Sequence, residues 1–270
     1  MRNSLSSVKT QKAKRFARVS RQRGVSLLEL LIGITIGLLV TVAAVGSLVF
    51  TRVAATTVSD AVRLQQDAAV AMRMIGRQLK QVGAFPLDNA AAGGAGRVQF
   101  FTNYSGIANQ GWSIQGTNGV RDSFTTAFSV SNDVGALATD CFGQQTPAPQ
   151  TAVTSTFQVT ADSVFRCRGT IGDFQPVLNN VENLQIWYAV PVGANKRYFR
   201  ADQISNNTGI TPNWTEVQGV QVCLQLVGTT TGNPTAADPN VLDCNGNVMV
   251  SDGRVRRAFR QVFNLRNLGA

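Results

Sequence analysis

The sequence predicts an α+β protein in which one long N-terminal helix, apolar in its first half and amphipathic in its second, packs on an antiparallel β-sheet head. Three observations carry that expectation. Residues 30–50 hold no charge. Residues 61–82 repeat apolar side chains at steps of three and four. Beyond residue 88 helical periodicity gives way to short β-branched or aromatic runs separated by Gly, Asn, Thr and Ser. The expected segments are a basic leader, 1–24; the apolar half of the helix, 25–52; its amphipathic half, 53–83; and a β-rich head, 84–270.

Eight of the 25 Lys and Arg residues lie in the leader (Arg2, Lys9, Lys12, Lys14, Arg15, Arg18, Arg21 and Arg23), with no acid among them. The other 17 nearly balance the 15 Asp and Glu, so the net charge of +10 belongs to the leader and does not mark a nucleic-acid-binding surface. Histidine is absent from the sequence. Its absence excludes Ser-His-Asp and Cys-His nucleophile systems, His-containing metal sites and the commonest general base near neutral pH. No enzymatic activity, cofactor or metal is expected.

The apolar segment reads VSLLELLIGITIGLLVTVAAVGSLVF over residues 25–50, with Glu29 its only charge. The 21 residues from 30 to 50 make a helix roughly 31 Å long, close to the hydrocarbon thickness of a bilayer. With the leader's positive charge before it and only Arg52 soon after, the span is expected in the inner membrane, N-terminus in the cytoplasm and head in the periplasm. A secretory signal has its small-residue cleavage site after the apolar run. Here the small residue, Gly24, precedes it, so a cut between Gly24 and Val25 would remove the charge and keep the hydrophobic helix.

The string Gly24-Val25-Ser26-Leu27-Leu28-Glu29 resembles the prepilin peptidase site of type IV pilins and their relatives. In that family a Gly precedes the cut, an apolar residue, more often Phe, becomes the new N-terminus, and Glu is the fifth mature residue. The resemblance implies cleavage between Gly24 and Val25, N-methylation of Val25, and pairing of Glu29 with the N-terminal amine of a neighbouring subunit. A carboxylate within an apolar span is costly, and its position one turn from the boundary also allows a purely interfacial placement. Gly33 and Gly37 form a small-xxx-small pair that would let helices approach closely.

The amphipathic half has apolar residues at Ala61, Leu64, Ala68, Met72, Ile75, Leu79 and Val82, a single helical face. Arg63, Gln66, Asp67, Arg73, Arg77 and Lys80 fall on other faces, and Val82-Gly83-Ala84-Phe85-Pro86 supplies a stop. The short, alanine-containing stripe suits packing on a sheet better than a coiled coil.

In the head, strands are expected at residues 98–102, 123–130, 154–160, 164–168, 183–190, 197–200, 217–227 and 254–265, with loops at 90–96, 144–150 and 228–240. Alternation is clearest at Leu184, Ile186, Tyr188 and Val190; at Val220, Val222, Leu224 and Leu226; and at Phe259, Phe263 and Leu265 opposite Arg256, Arg260, Asn264 and Arg266. It predicts a sheet with one wet face. Cys141, Cys167, Cys223 and Cys244 all lie in this exported part, where disulfides are the expected state. Of the three possible pairings, the sequential one would clamp two loops and contribute about 3 kcal/mol each. Zinc ligation would need a CxxC spacing that the sequence lacks.

Arg254, Arg256, Arg257, Arg260 and Arg266 read as a strand's solvated edge rather than a nucleic-acid site. Asp238, Asn240, Asp243, Asn245 and Asn247 read as turn formers, since they lack EF-hand spacing. The sequons at Asn103, Asn206 and Asn213 would matter only in a eukaryotic secretory pathway.

Two further strings, Val181-Glu182-Asn183-Leu184-Gln185-Ile186-Trp187-Tyr188 and the terminal Arg256-Arg257-Ala258-Phe259 with Asn264-Leu265-Arg266-Asn267, are similar to signatures of the PilW minor pilins. This resemblance implies a structural minor pilin that enters a type IV pilus and helps to initiate or cap it. Its expected partners are the prepilin peptidase, other minor and major pilins, the inner-membrane assembly platform and membrane lipid, with nucleic acid not expected. A minor pseudopilin of a type II secretion system, and a tip-exposed adhesin or DNA-binding module, are the alternative readings.

Overall fold

The computed structural model describes residues 24–84, 112–129, 139–145, 152–207, 209–232, 241–249 and 252–266. The chain divides into two units, Met1–Phe50 and Thr51–Ala270. Helix α1, Leu27–Gln81, contributes to both.

In the first unit α1 begins where the Leu30 N–H donates to the Ser26 carbonyl at 3.0 Å. The hydroxyls of Thr35, Thr41 and Ser47 donate to the carbonyls three residues back, at 2.9, 2.8 and 2.9 Å. These polar side chains therefore carry their own acceptors on an otherwise apolar surface.

In the second unit the helical face expected from periodicity is buried. Leu64, Ala68, Met72, Ile75, Leu79 and Val82 join the core, and Ala61 is half-buried. Burying each of the larger side chains contributes about 1.5–3 kcal/mol. Two polar residues of the same helix fix its seat. Asp60 accepts from the Thr230 N–H at 3.0 Å. Gln78, fully buried, accepts from the Ser155 hydroxyl at 3.2 Å. Gly76 permits the close approach of Phe263, whose ring edge would lie 2.6 Å from a Cβ at that position. The helix stops at Gly83, which takes a φ of 69° and donates to the Ala127 carbonyl at 3.1 Å.

The strands are β1 Ile114–Thr117, β2 Ser123–Ser129, β3 Ala152–Val159, β4 Val164–Arg168, β5 Gln175–Asn179, β6 Val181–Val192, β7 Asn195–Phe199, β8 Gly219–Val227 and β9 Arg256–Asn264. They form two antiparallel sheets, one ordered β1-β2-β3-β4-β5 and the other β7-β6-β8-β9. Short 3₁₀ turns, Ala201–Gln203 and Trp214–Glu216, lie between β7 and β8. In the first sheet Phe124, Phe157 and Phe165 stack with ring centroids 5.0 and 5.8 Å apart. In the second, Leu184 faces Leu224, Ile186 faces Val222 and Tyr188 faces Val220, all buried.

The structure corrects the sequence reading in three places. The expected wet face is covered on β6 and β8, where Gln185, Cys223 and Gln225 are buried as well. Polar identity there signals hydrogen bonding: Gln185 donates to the Val120 carbonyl at 2.9 Å and Gln225 to Glu182 at 3.0 Å. Arg256, expected to be solvated, keeps only 8% of its side chain exposed because Glu182 and Asp252 hold its guanidinium. Strands β1 and β5 were not expected, since Gly116 and Pro176 interrupt their patterns; both are edge strands, where such residues are tolerated. The expected strand at 98–102 and loop at 90–96 lie outside the described residues.

A buried polar cluster joins the sheets. Asp122, between β1 and β2, accepts from the Ile186 N–H of β6 at 2.7 Å and from the Gly119 N–H at 3.0 Å. Arg200 reaches the same carboxylate at 3.1 Å and stacks on Trp187 at 4.9 Å. Burial pushes the Asp122 carboxyl up, while those two N–H groups and the Arg200 guanidinium pull it down. Two disulfides tie loops to strands: Cys141 to Cys167 of β4, with Cα atoms 6.6 Å apart, and Cys223 of β8 to Cys244, 5.7 Å apart.

Non-reducing peptide mapping should recover those two cross-links and no free cysteine. Replacing both members of either pair with Ala should lower the unfolding free energy by about 3 kcal/mol; free thiols at all four positions would contradict the arrangement. A second test concerns Gly116, where a Cβ would lie 1.9 Å from the hydroxyl oxygen of the fully buried Tyr188. Gly116→Ala should therefore destabilise the head by about 1–3 kcal/mol. Because that hydroxyl has no hydrogen-bond partner among the described residues, Tyr188→Phe should be near neutral alone and should recover part of the loss in the double variant. Thermal or denaturant unfolding reads all three, and a fully stable Gly116→Ala head would contradict the packing.

Candidate functional site

Gly24, Val25 and Ser26 precede α1, and Glu29 stands in its first turn. All of residues 24–50 are exposed, including Val25 at 69%, Leu39 at 69% and Phe50 at 73%. A monomeric soluble protein rarely shows an uninterrupted apolar patch beyond a few hundred Å². The most apolar 18-residue window of the helix has a mean hydropathy of 2.4. The part of α1 up to Phe50 is about 36 Å long, enough to cross the hydrocarbon of a bilayer.

Glu29 makes no ion pair among the described residues. Its place at the helix N-terminus suits a carboxylate, which the backbone dipole stabilises there by about 0.3–1 kcal/mol. Gly33 and Gly37 follow it at steps of four, on the same side of the helix, and a Cβ at either would meet nothing. The arrangement presents a carboxylate beside a smooth strip on which another helix can lie close. Such a surface supports packing and charge pairing rather than bond-making chemistry.

The other residues singled out from sequence are used within the head. Asp252 binds Arg254 at 2.7 Å and also holds Arg256, while Glu182 accepts from Arg256 at 2.9 Å. Hydrogen bonds from Arg256 and Arg254 hold the Asp252 carboxyl well below its usual range. Arg260 donates to the Asp243 carbonyl. The five terminal arginines are thus not one free basic patch. Asp243 accepts the N–H groups of Asn245 and Asn247, both at 2.8 Å, and so closes its own turn. Asp238 and Asn240 lie outside the described residues. The structure pairs all four cysteines, which leaves none to ligate a metal.

Sequence reasoning missed one grouping. Arg73, Arg77 and Lys80 of α1 and Arg266 beyond β9 line a common groove. Their separation in the chain, some 190 residues between helix and strand, gave no local signal.

Residues 150–267 match the family model for type IV pilus-assembly protein W. Residues 19–45 match that for the prokaryotic N-terminal methylation motif, which spans Gly24, Val25 and Glu29. Comparison with curated protein sequences finds no match. Among solved structures, a type IV-like pilin from Thermus thermophilus is similar over 76% of this chain and 98% of its own, with 14% identity and a TM-score of 0.43. With the methylation motif at the head of an exposed apolar helix and the second family model covering most of the β-rich head, the chain is similar over residues 19–45 and 150–267 to type IV pilin-like proteins of the PilW family.

Proposed function

We propose that this chain is a minor pilin, made with a cytoplasmic leader and stored in the inner membrane with its head in the periplasm, that enters a type IV pilus and helps to initiate or cap it. The observation that carries the reading is the wholly exposed apolar segment with Glu29 as its single charge, lying under the methylation motif. Prepilin peptidase would cut between Gly24 and Val25, removing the leader's eight positive charges and leaving the span on the mature chain. The new amine at Val25 would then be methylated.

While the subunit is stored, lipid covers the apolar side chains and Glu29 can reach the interface by a small shift. On assembly, neighbouring helices replace lipid. Glu29 then leaves water, and a neighbour's Val25 amine supplies the opposite charge that makes this burial tolerable. The Gly33 and Gly37 strip would permit the approach that brings the two groups together. The match of the head to the PilW family supports a pilus over a secretion pseudopilus, although leader, span and helix would serve either. The partners in this reading are the peptidase, other minor and major pilins, the inner-membrane assembly platform and lipid.

Mass analysis of the mature protein should find Val25 as its first residue, methylated at the amine, and Gly24→Leu should block processing. A mature start near Phe50, or a fibre-borne chain that retains its leader, would contradict the reading. Glu29→Ala should leave the amount in the membrane unchanged, since it makes the span more apolar. It should reduce the amount in sheared fibres by about tenfold or more, the factor that some 1.4 kcal/mol of lost pairing produces. Glu29→Asp should rescue poorly because its shorter arm misplaces the charge. Wild-type incorporation of Glu29→Ala would make Glu29 an interfacial residue without a role in assembly.

A further inference from the structure

A groove of about 840 Å³ in the second unit is used neither by the core nor by the apolar helix. It lies between the later turns of α1 and the end of β9. Arg73, Arg77, Lys80 and Arg266 line it, and no carboxylate does among the described residues. Met72 and Phe263, both mostly buried, supply its apolar floor. The three helix cations recur at steps of four and three, which sets them in one row along the groove. Arg73 and Arg77, one turn apart, weaken a helix by a few tenths of a kcal/mol, and low-dielectric walls concentrate their field, so an anionic occupant would relieve the repulsion.

The strand on the other wall decides what kind of anion fits. Strand β9 pairs with β8 on one side and, among the described residues, with nothing on the other. Gln261 and Phe263 from one face of β9, and Val262 and Asn264 from the other, all line the groove, so it opens along the strand's unpaired edge. Such an edge offers alternating N–H and C=O groups that match a second backbone. The groove has no exposed aromatic ring on which a nucleic-acid base could stack. A second copy of this chain fits poorly, because its described strands contain only one carboxylate, Glu182, already bound to Arg256.

We propose that this groove receives an extended acidic segment of a partner protein, which adds as a fifth strand beside β9 with its carboxylates against Arg73, Arg77, Lys80 and Arg266. The inference deepens the assembly reading, on which it rests only for the partner being another exported subunit.

The test uses the processed full-length chain in detergent and a fluorescent ten-residue peptide alternating Glu and Val. Anisotropy should show binding that weakens with added salt. Amide exchange should slow along Arg256–Asn264 when the peptide is bound. The joint variant Arg77→Ala and Arg266→Ala, at two exposed positions, should bind at least about tenfold more weakly with an unchanged melting temperature. A peptide with Lys in place of Glu, and one with two central prolines that cannot pair with an edge, should each lose at least about tenfold. Equal binding of the proline peptide, tighter binding of an oligothymidylate, indifference to the arginine variant, or no binding would overturn the proposal. None of those outcomes bears on cleavage at Gly24 or on entry into fibres, so the assembly reading would stand or fall separately.

Discussion

The cover required by residues 25–50 is the constraint on which the rest depends. Every one of them is exposed, and only Glu29 among them carries a charge. At about 25 cal/mol for each Å² of apolar surface, a helix of that composition cannot remain in water and must find lipid or other helices. Lipid covers the apolar groups and penalises the carboxylate. A bundle of like helices covers the same groups and can also satisfy the carboxylate, provided that each brings an amine to its neighbour. One charge in an apolar segment thus makes the two environments unequal, and its place one turn from the helix start would keep the penalty in lipid small.

The head answers a different requirement. It must hold one shape without a continuous apolar helix bundle around it, and it does so with a helix, two sheets and a few polar anchors. The buried face of α1 from Leu64 to Val82 joins both sheets in one core. Polar contacts then fix registers that apolar packing leaves free: Asp60 to Thr230, Gln78 to Ser155, and Asp122 to Ile186 and Arg200. Each is satisfied by hydrogen bonding, so each specifies geometry without the penalty of an orphaned polar group. The disulfides add covalent ties between two turns and the strands beneath them, Cys141 to Cys167 and Cys244 to Cys223.

What was legible in the sequence was what local physics controls. The burial of α1 was readable because a period near 3.6 repeats over six apolar positions from Leu64 to Val82. Strand β4 was readable at both of its ends, and β6 and β8 within two residues, because their alternating apolar side chains are uninterrupted. Strands β1 and β5 were hidden, since Gly116 is there to admit Tyr188 and Pro176 is tolerated only because its strand is an edge. The polar faces of β6 and β8 misled in the opposite direction: Gln185 and Gln225 look solvated until their partners 65 and 43 residues away are known. The same division holds for the site. Gly24, Val25 and Glu29 lie within six residues of one another, so their relation to the helix start is a local property. The groove of Arg73, Arg77, Lys80 and Arg266 exists only because α1 lies beside the last strand, a tertiary fact with no signature in either segment.

The claim that the apolar helix serves a fibre, and is not merely an anchor, is tested most directly by quantitative mass spectrometry of purified sheared pili from cells expressing the chain at its native level. The account predicts peptides of this chain, with a methylated Val25 at the N-terminus and both disulfides intact, in the fibre fraction at a small ratio to the major subunit. Pili that assemble normally and contain none of it, with all of the mature chain remaining in the membrane fraction, would contradict the account.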